Sequence, residues 1–259
     1  MYNFVTKLER MKLLSVIVLT FLFLSCKEEQ KPLTAQNIVD KAIQVACNGN
    51  CDQAKIEFTF RDNNYVSTRK NGLYTLEKTQ LDSTGLLHDI LNNNGFKRFK
   101  NDTLVTLVDS VKTSLIESVN SVHYFAQLPY GLNAPAVRKE LVGEATIKGK
   151  DYYEVEVRFS EEGGGTDFED VFMYWINKEE YTVDYLAYKY AVNGGGVRFR
   201  EAYNPRVING IRFVDYNNFK PDSIEVELTN LDQLFEEGKL QLLSKIEIEN
   251  MGVELLKTN

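Results

Sequence analysis

The chain has 259 residues, with 30 Lys and Arg against 37 Asp and Glu, a formal charge of −7 and two histidines. That acidic balance argues against nucleic acid as a partner, which rewards clustered Lys and Arg. It also argues against electrostatic attachment to anionic lipid, which needs a polybasic patch.

The first segment predicts export. Lys12 precedes an apolar run over residues 13–24, interrupted only by Ser15 and Thr20, and Ser25-Cys26 leads into the polar Lys27-Glu28-Glu29-Gln30. An apolar stretch of about 7–15 residues behind a basic segment has signal-peptide dimensions, whereas a spanning helix takes about 20. A small residue before Cys resembles the lipobox of bacterial lipoproteins, although Phe23 stands where Leu is usual. The expectation is a signal peptide over 1–25, lipid on Cys26 and a tether over 26–33; the alternative is an ordinary secretory signal in which Cys26 is incidental. Met11-Lys12 would itself begin a conventional signal, so either Met1 or Met11 could be the start. Removing residues 1–25 takes three positive charges and one negative, moving the chain from −7 to −9. Membrane attachment would then run through acyl chains such as palmitate on Cys26, because several chains hold where one does not.

Thr34 can cap a helix whose apolar residues Ile38, Val39, Ala42, Ile43 and Ala46 share one face. Cys47 and Cys51 follow, separated by the turn signal Asn48-Gly49-Asn50. Outside the cytoplasm such a pair oxidises, so a local disulfide is expected. Zinc would need a second ligand pair nearby, and the redox motif has two intervening residues rather than three.

Strand periodicity comes next. Ile56, Phe58 and Phe60 alternate with polar residues, as do Tyr153, Val155, Val157 and Phe159, then Leu186, Tyr188 and Tyr190, and finally Ile224, Val226 and Leu228. Alternation puts one face on a core and the other in water. Asn71-Gly72, Lys148-Gly149 and Asn209-Gly210 are hairpin-turn signals. Val111, Leu115, Val119, Val122 and Phe125 break the pattern with helical spacing, predicting a helical insert over 110–141: one helix ended by Pro129, then a second short helix towards Leu141. A short helix near 231–237 and a last strand complete the plan. The expected class is α+β, a large curved antiparallel sheet forming an open half-barrel, with helices covering one face. The eight alternating units of a (β/α)8 barrel are not there.

Few residues suggest chemistry. The acidic run Glu161-Glu162-Gly163-Gly164-Gly165-Thr166-Asp167-Phe168-Glu169-Asp170 could gather oxygens around Ca2+, but lacks the alternation of an EF-hand loop. It and the second triplet, Gly194-Gly195-Gly196, read better as wide turns; neither is followed by the Lys-Ser/Thr of a P-loop. His88 beside Asp89, and His123, could serve a metal or an acid–base pair, yet His123 falls next to the helix stripe and suits a hydrogen-bonded core edge. No Ser lies in a G-x-S-x-G context. No cofactor and no metal are expected, and an enzyme is the weaker expectation.

Aromatic residues are the remaining clue: Phe168, Phe172, Tyr174, Trp175, Tyr181, Tyr185, Tyr188 and Tyr190 crowd one region. Phe172 and Tyr174 would point opposite to Met173 and Trp175, so both faces of that strand are apolar. Either both are covered or one lines a cavity. Val119, Phe172, Tyr174 and Trp175 are the candidate lining of an apolar groove. Arg198 and Arg200, on one strand face, are candidates for a polar mouth that receives an anionic head group; pairing with Glu154, Glu156 or Glu169 is the competing expectation.

Several segments carry a resemblance: Asp82-Ser83-Thr84-Gly85, Asn92-Asn93-Asn94-Gly95-Phe96, Asn120-Ser121-Val122-His123-Tyr124-Phe125, Leu128-Pro129-Tyr130-Gly131-Leu132, residues 161–170 and Arg198-Phe199-Arg200-Glu201-Ala202-Tyr203-Asn204. Together they resemble a family of uncharacterised Bacteroidota cell-envelope lipoproteins, which implies a secreted envelope protein. The plan is also similar, more loosely, to carriers of the outer-membrane lipoprotein localisation system, whose half-barrel receives acyl chains under helices. Cys26-Lys27-Glu28-Glu29 resembles the Bacteroidota signal for the outer face of the outer membrane. The expected role is therefore a lipoprotein that binds or carries a hydrophobic ligand such as an acyl chain. The alternatives are a surface interaction module with an envelope protein partner, and a hydrolase-like or metal-dependent enzyme.

Overall fold

Antiparallel pairing dominates this computed structural model, which describes residues 32–162, 168–191 and 194–257. The signal segment, Cys26, most of the tether and the first glycine triplet through Asp167 lie outside the described residues.

Helix α1 (Ala35–Cys47) begins where Thr34 Oγ1 accepts the Asn37 N–H at 3.2 Å and ends on Asn48, whose φ of 47° is left-handed. Its Ile38, Val39, Ala42 and Ala46 are buried, the face that the spacing predicts. A disulfide joins Cys47 to Cys51.

Six strands then form one ladder: β1 (Ala54–Phe60), β2 (Asn63–Lys70), β3 (Leu73–Asp82), β4 (Gly85–Asn92), β5 (Gly95–Lys100) and β6 (Thr103–Leu104). Helix α2 (Asp109–Ala126) separates them from β7 (Val137–Ile147), β8 (Lys150–Phe159), β9 (Val171–Asn177), β10 (Val183–Tyr190), β11 (Gly196–Ile208) and β12 (Ile211–Lys220). Helix α3 (Leu231–Glu236), β13 (Gln241–Ile246) and β14 (Glu249–Leu255) follow. The α+β plan thus has two seven-stranded antiparallel sheets, ordered β14-β1-β2-β3-β4-β5-β6 and β13-β12-β11-β10-β9-β8-β7.

Turn chemistry sets these hairpins. Asn71-Gly72, Lys148-Gly149 and Asn209-Gly210 all have both residues at positive φ, the geometry whose twist matches that of the flanking strands. Arg61-Asp62 and Asn101-Asp102 do the same without glycine. Gly194 and Gly195, at φ 87° and 76°, form the turn into β11.

Two segments differ from expectation. The second helix towards Leu141 is a short 3-10 turn over Tyr130–Asn133 followed by strand β7. Residues 221–227 are irregular despite the alternation of Ile224, Val226 and Leu228. A strand needs an open neighbour, and β12 already has β11 on one side and β13 on the other; Leu228 instead begins a 3-10 turn and is buried.

The second sheet is covered on both faces. On one, Val155, Phe172, Tyr174, Ile176 and Leu186 pack with α1 and with Leu128 and Leu132. On the other, Met173, Trp175, Tyr185 and Phe199 pack under Leu228, Leu231 and the partly buried Phe235. The alternation along β9 therefore feeds two cores, which explains why it reads as apolar throughout.

Candidate functional site

Helix α2 presents two faces. Val119, wholly buried, packs with Leu76 of β3 and Phe96 of β5, joined by the partly buried Leu115 and Ile116. His123, one turn on, is buried against the same sheet and donates Nε2–H to the Glu77 carbonyl at 3.1 Å. Asn120, Ser121, Tyr124 and Phe125 face a cavity instead. Val111, expected on the buried stripe, is 44% exposed, and the stripe is covered, in part or fully, only from Leu115 onward.

The cavity has a volume of about 530 Å³, within the usual range for small-molecule sites. Its floor is the second sheet, and the register sets it out in rows. Phe172, Tyr188 and Arg198 are opposed across β9, β10 and β11. The next row places Arg200 between Leu186 and Asn218, and the one after pairs Ala202 with Tyr216. Strand periodicity puts residues two apart on one face, so these rows share the side under α2. Val214, Ile246 and Ile248 extend the apolar lining, and Asp170 contributes one carboxylate.

Arg200 organises the polar part. It is only 8% exposed, and its guanidinium lies 4.0 Å from the Phe125 ring centre, 5.1 Å from that of Tyr188 and 5.9 Å from that of Tyr216. A cation over aromatic faces is attracted by their quadrupoles. Nη2 donates to the Tyr188 hydroxyl at 2.8 Å, while the buried Nε finds no partner among the described residues. Oδ1 of Asn218, its cross-strand neighbour, is likewise unpartnered, though Nδ2 reaches Ser244 Oγ at 3.2 Å. Behind them the Tyr124 and Tyr174 hydroxyls are 2.6 Å apart. Burial raises both phenols above their ordinary value, and it pushes Tyr216 up to about 12 against the opposing pull of Arg200. All three therefore remain neutral at physiological pH.

Of the residues proposed from sequence, Phe172, Arg198 and Arg200 meet at this cavity. Tyr174 is on the same face but fully buried beneath Tyr124. Trp175 is on the opposite face, in the core under α3, with Nε1–H donating to Glu154 Oε1 at 3.1 Å; a one-residue step along a strand reverses the face. Val119 faces the first sheet, one helix position away from the lining residue Asn120. Neither arginine pairs with Glu154 or Glu156: the first holds Trp175, and the second holds Arg158 at 2.7 Å. Arg198 lies over Tyr190 at 5.3 Å. Tyr216 and Asn218 were not legible as site residues, since Asn217 and Asn218 look alike and only the register says which faces inward. His88 is 2.7 Å from Glu77 Oε2, and no metal-binding cluster occurs among the described residues.

Fold and cavity together define an antiparallel α+β protein with a half-open chamber, rich in aromatic side chains, and one buried cation in it. The chain belongs to the family of unknown function DUF6503, whose model matches residues 12–249. No curated protein matches it. Among solved structures it is similar to a LolA superfamily protein of Nitrosomonas europaea, at 13% identity over 88% of this chain and 95% of that one, with a TM-score of 0.47. A DUF1329 family protein of Desulfovibrio piger matches at 12% identity over 84% and 92%, with a TM-score of 0.44. The Mycobacterium tuberculosis lipoprotein LppX matches at 7% identity over 62% and 90%, with a TM-score of 0.28.

Proposed function

We propose that this chain is a cell-envelope lipoprotein, tethered through Cys26, that binds a hydrophobic ligand such as an acyl chain in the cavity under α2. The observation that carries the reading is the cavity itself. A half-open groove of about 530 Å³, lined by aromatic and aliphatic side chains beneath a helix, leaves room for a hydrocarbon chain. Burying an alkyl chain gains about 0.8 kcal/mol per methylene, so such a chamber retains a ligand without catalytic groups. The segment ending in Ser25-Cys26 supports export and lipidation, and Lys27-Glu28-Glu29 favours the outer membrane, with its surface as the destination.

Native mass spectrometry of the protein taken from its own envelope tests the binding. A reproducible lipid-sized adduct is expected, weakened at least about tenfold by Val122→Trp, which fills the chamber from α2. A protein without adduct that also excludes neutral apolar dyes would overturn the reading. Cys26→Ser should move the protein from the membrane fraction to the soluble one, and protease shaving of intact cells should cleave the surface-exposed form.

A further inference from the structure

We infer that the ligand carries a carboxylate, seated inside the chamber on the Nε edge of Arg200 with Asn218 beside it. This rests on the apolar-ligand reading and adds the head group.

The argument begins with charge. The chain is acidic overall, at −7, yet the described residues lining the chamber include Arg61, Arg198 and Arg200 against the single carboxylate of Asp170. Ion pairs elsewhere in the described residues engage Arg98, Arg158, Arg206 and Arg212; Arg200 takes part in none of them. A guanidinium taken out of water without an anion is costly, and rings offset only part of that cost.

Geometry then selects the head group. The unpartnered atom of Arg200 is Nε, and Nη2 spends one of its two N–H groups on Tyr188. Nε and Nη2 form one edge of the guanidinium fork, and the same chain shows what that edge does with a carboxylate. Arg98 holds Asp89 through Nε–Oδ1 at 2.6 Å and Nη2–Oδ2 at 2.7 Å, the bidentate arrangement that makes arginine a carboxylate reader. Among the described residues no side chain supplies those oxygens to Arg200, and the residue lines the chamber. Asn218 is directly opposite on β12 with an unpartnered Oδ1, so its amide can turn to donate to the same anion. The rings of Phe125, Tyr188 and Tyr216 surround the guanidinium, and the aliphatic lining beyond them suits a hydrocarbon tail. A fatty acid meets both demands.

The test titrates the full chain, loaded with the neutral fluorescent probe N-phenyl-1-naphthylamine, with oleate, oleyl alcohol and oleyl phosphate at neutral pH. Oleate should displace the probe at least about tenfold more effectively than the alcohol, the difference expected of a hydrogen bond to a charged group. Arg200→Met should bring that ratio close to one. Should this variant fail to fold, Arg200→Lys keeps the charge and loses the fork, and should lower the ratio while the probe still enters. An alcohol that matches oleate would overturn the head-group assignment and leave the apolar chamber standing. A phosphate that exceeds oleate would overturn the carboxylate in favour of a phosphate monoester. If neither the probe nor any chain enters, the broader reading fails as well.

Discussion

His123 lies edge-on to Phe58 and Tyr65 at 5.7 and 5.6 Å, and burial, partly opposed by the Glu77 carbonyl, lowers its pKa to about 4. The unfolded imidazole titrates near 6.5. Between those values the unfolded chain takes up a proton that the folded chain refuses, so stability is complete above the unfolded pKa and declines as pH falls towards the folded one. About 2 kcal/mol should be lost from this residue between pH 7 and 5. Urea midpoints at the two pH values would show it, and His123→Phe should flatten the dependence; an equally steep variant would assign the effect elsewhere. Trp175 makes the opposite point about the site. Trp175→Ala should cost about 3–5 kcal/mol by opening the core under α3, while leaving the relative affinity for oleate and oleyl alcohol as it was. A changed ratio would place Trp175 in contact with ligand after all. The aromatic wealth of β9 was legible from composition, but the side each ring faces depends on register, which a single alternating string does not supply.

At the scale of elements, legibility followed the strength of the local signal. Helix α1 could be read because a threonine cap, a one-sided apolar stripe and a left-handed terminus agree. The hairpins at Asn71-Gly72 and Asn209-Gly210 could be read because only a few residues tolerate two successive positive φ values. Strand β7 could not: Val142 is 41% exposed and Gly143 adjoins the bulge between Leu141 and Gly143, so its alternation is broken where a reader would look for it. The reverse holds at 224–228, where alternation exists but the strand before it, β12, is already paired on both sides. The Cys47–Cys51 bridge closes a very short loop, and loop-closure entropy for such a span amounts to about 2 kcal/mol. Replacing both cysteines by serine should therefore lower unfolding stability by about that much and leave the fold intact. Loss of the helical signal of α1 in circular dichroism would show that the bridge does more than restrict the unfolded chain.

For the whole molecule, the two sheets share a core where Ile56 and Phe58 join Ile211 and Phe213, and the inner residues of helix α2 divide between them: Val119 and His123 to the first, Tyr124 and Phe125 to the second. Their existence as large antiparallel ladders was readable; their pairing order was not, because nothing in the residues of β14 names β1 as its neighbour. That neighbour relation has a consequence in time. Ile56 pairs with Val253 and Lys55 with Glu254, so the strand that opens the first sheet waits for residues made after every other strand described. A ribosome releases them in that order, and until then β1 presents a bare row of N–H and C=O groups along one edge, the template on which strands of other chains add. Shielding of that edge therefore waits until β14 has emerged, and a chain lacking residues 249–255 should collect in sedimentable aggregates at concentrations where the intact chain stays dispersed.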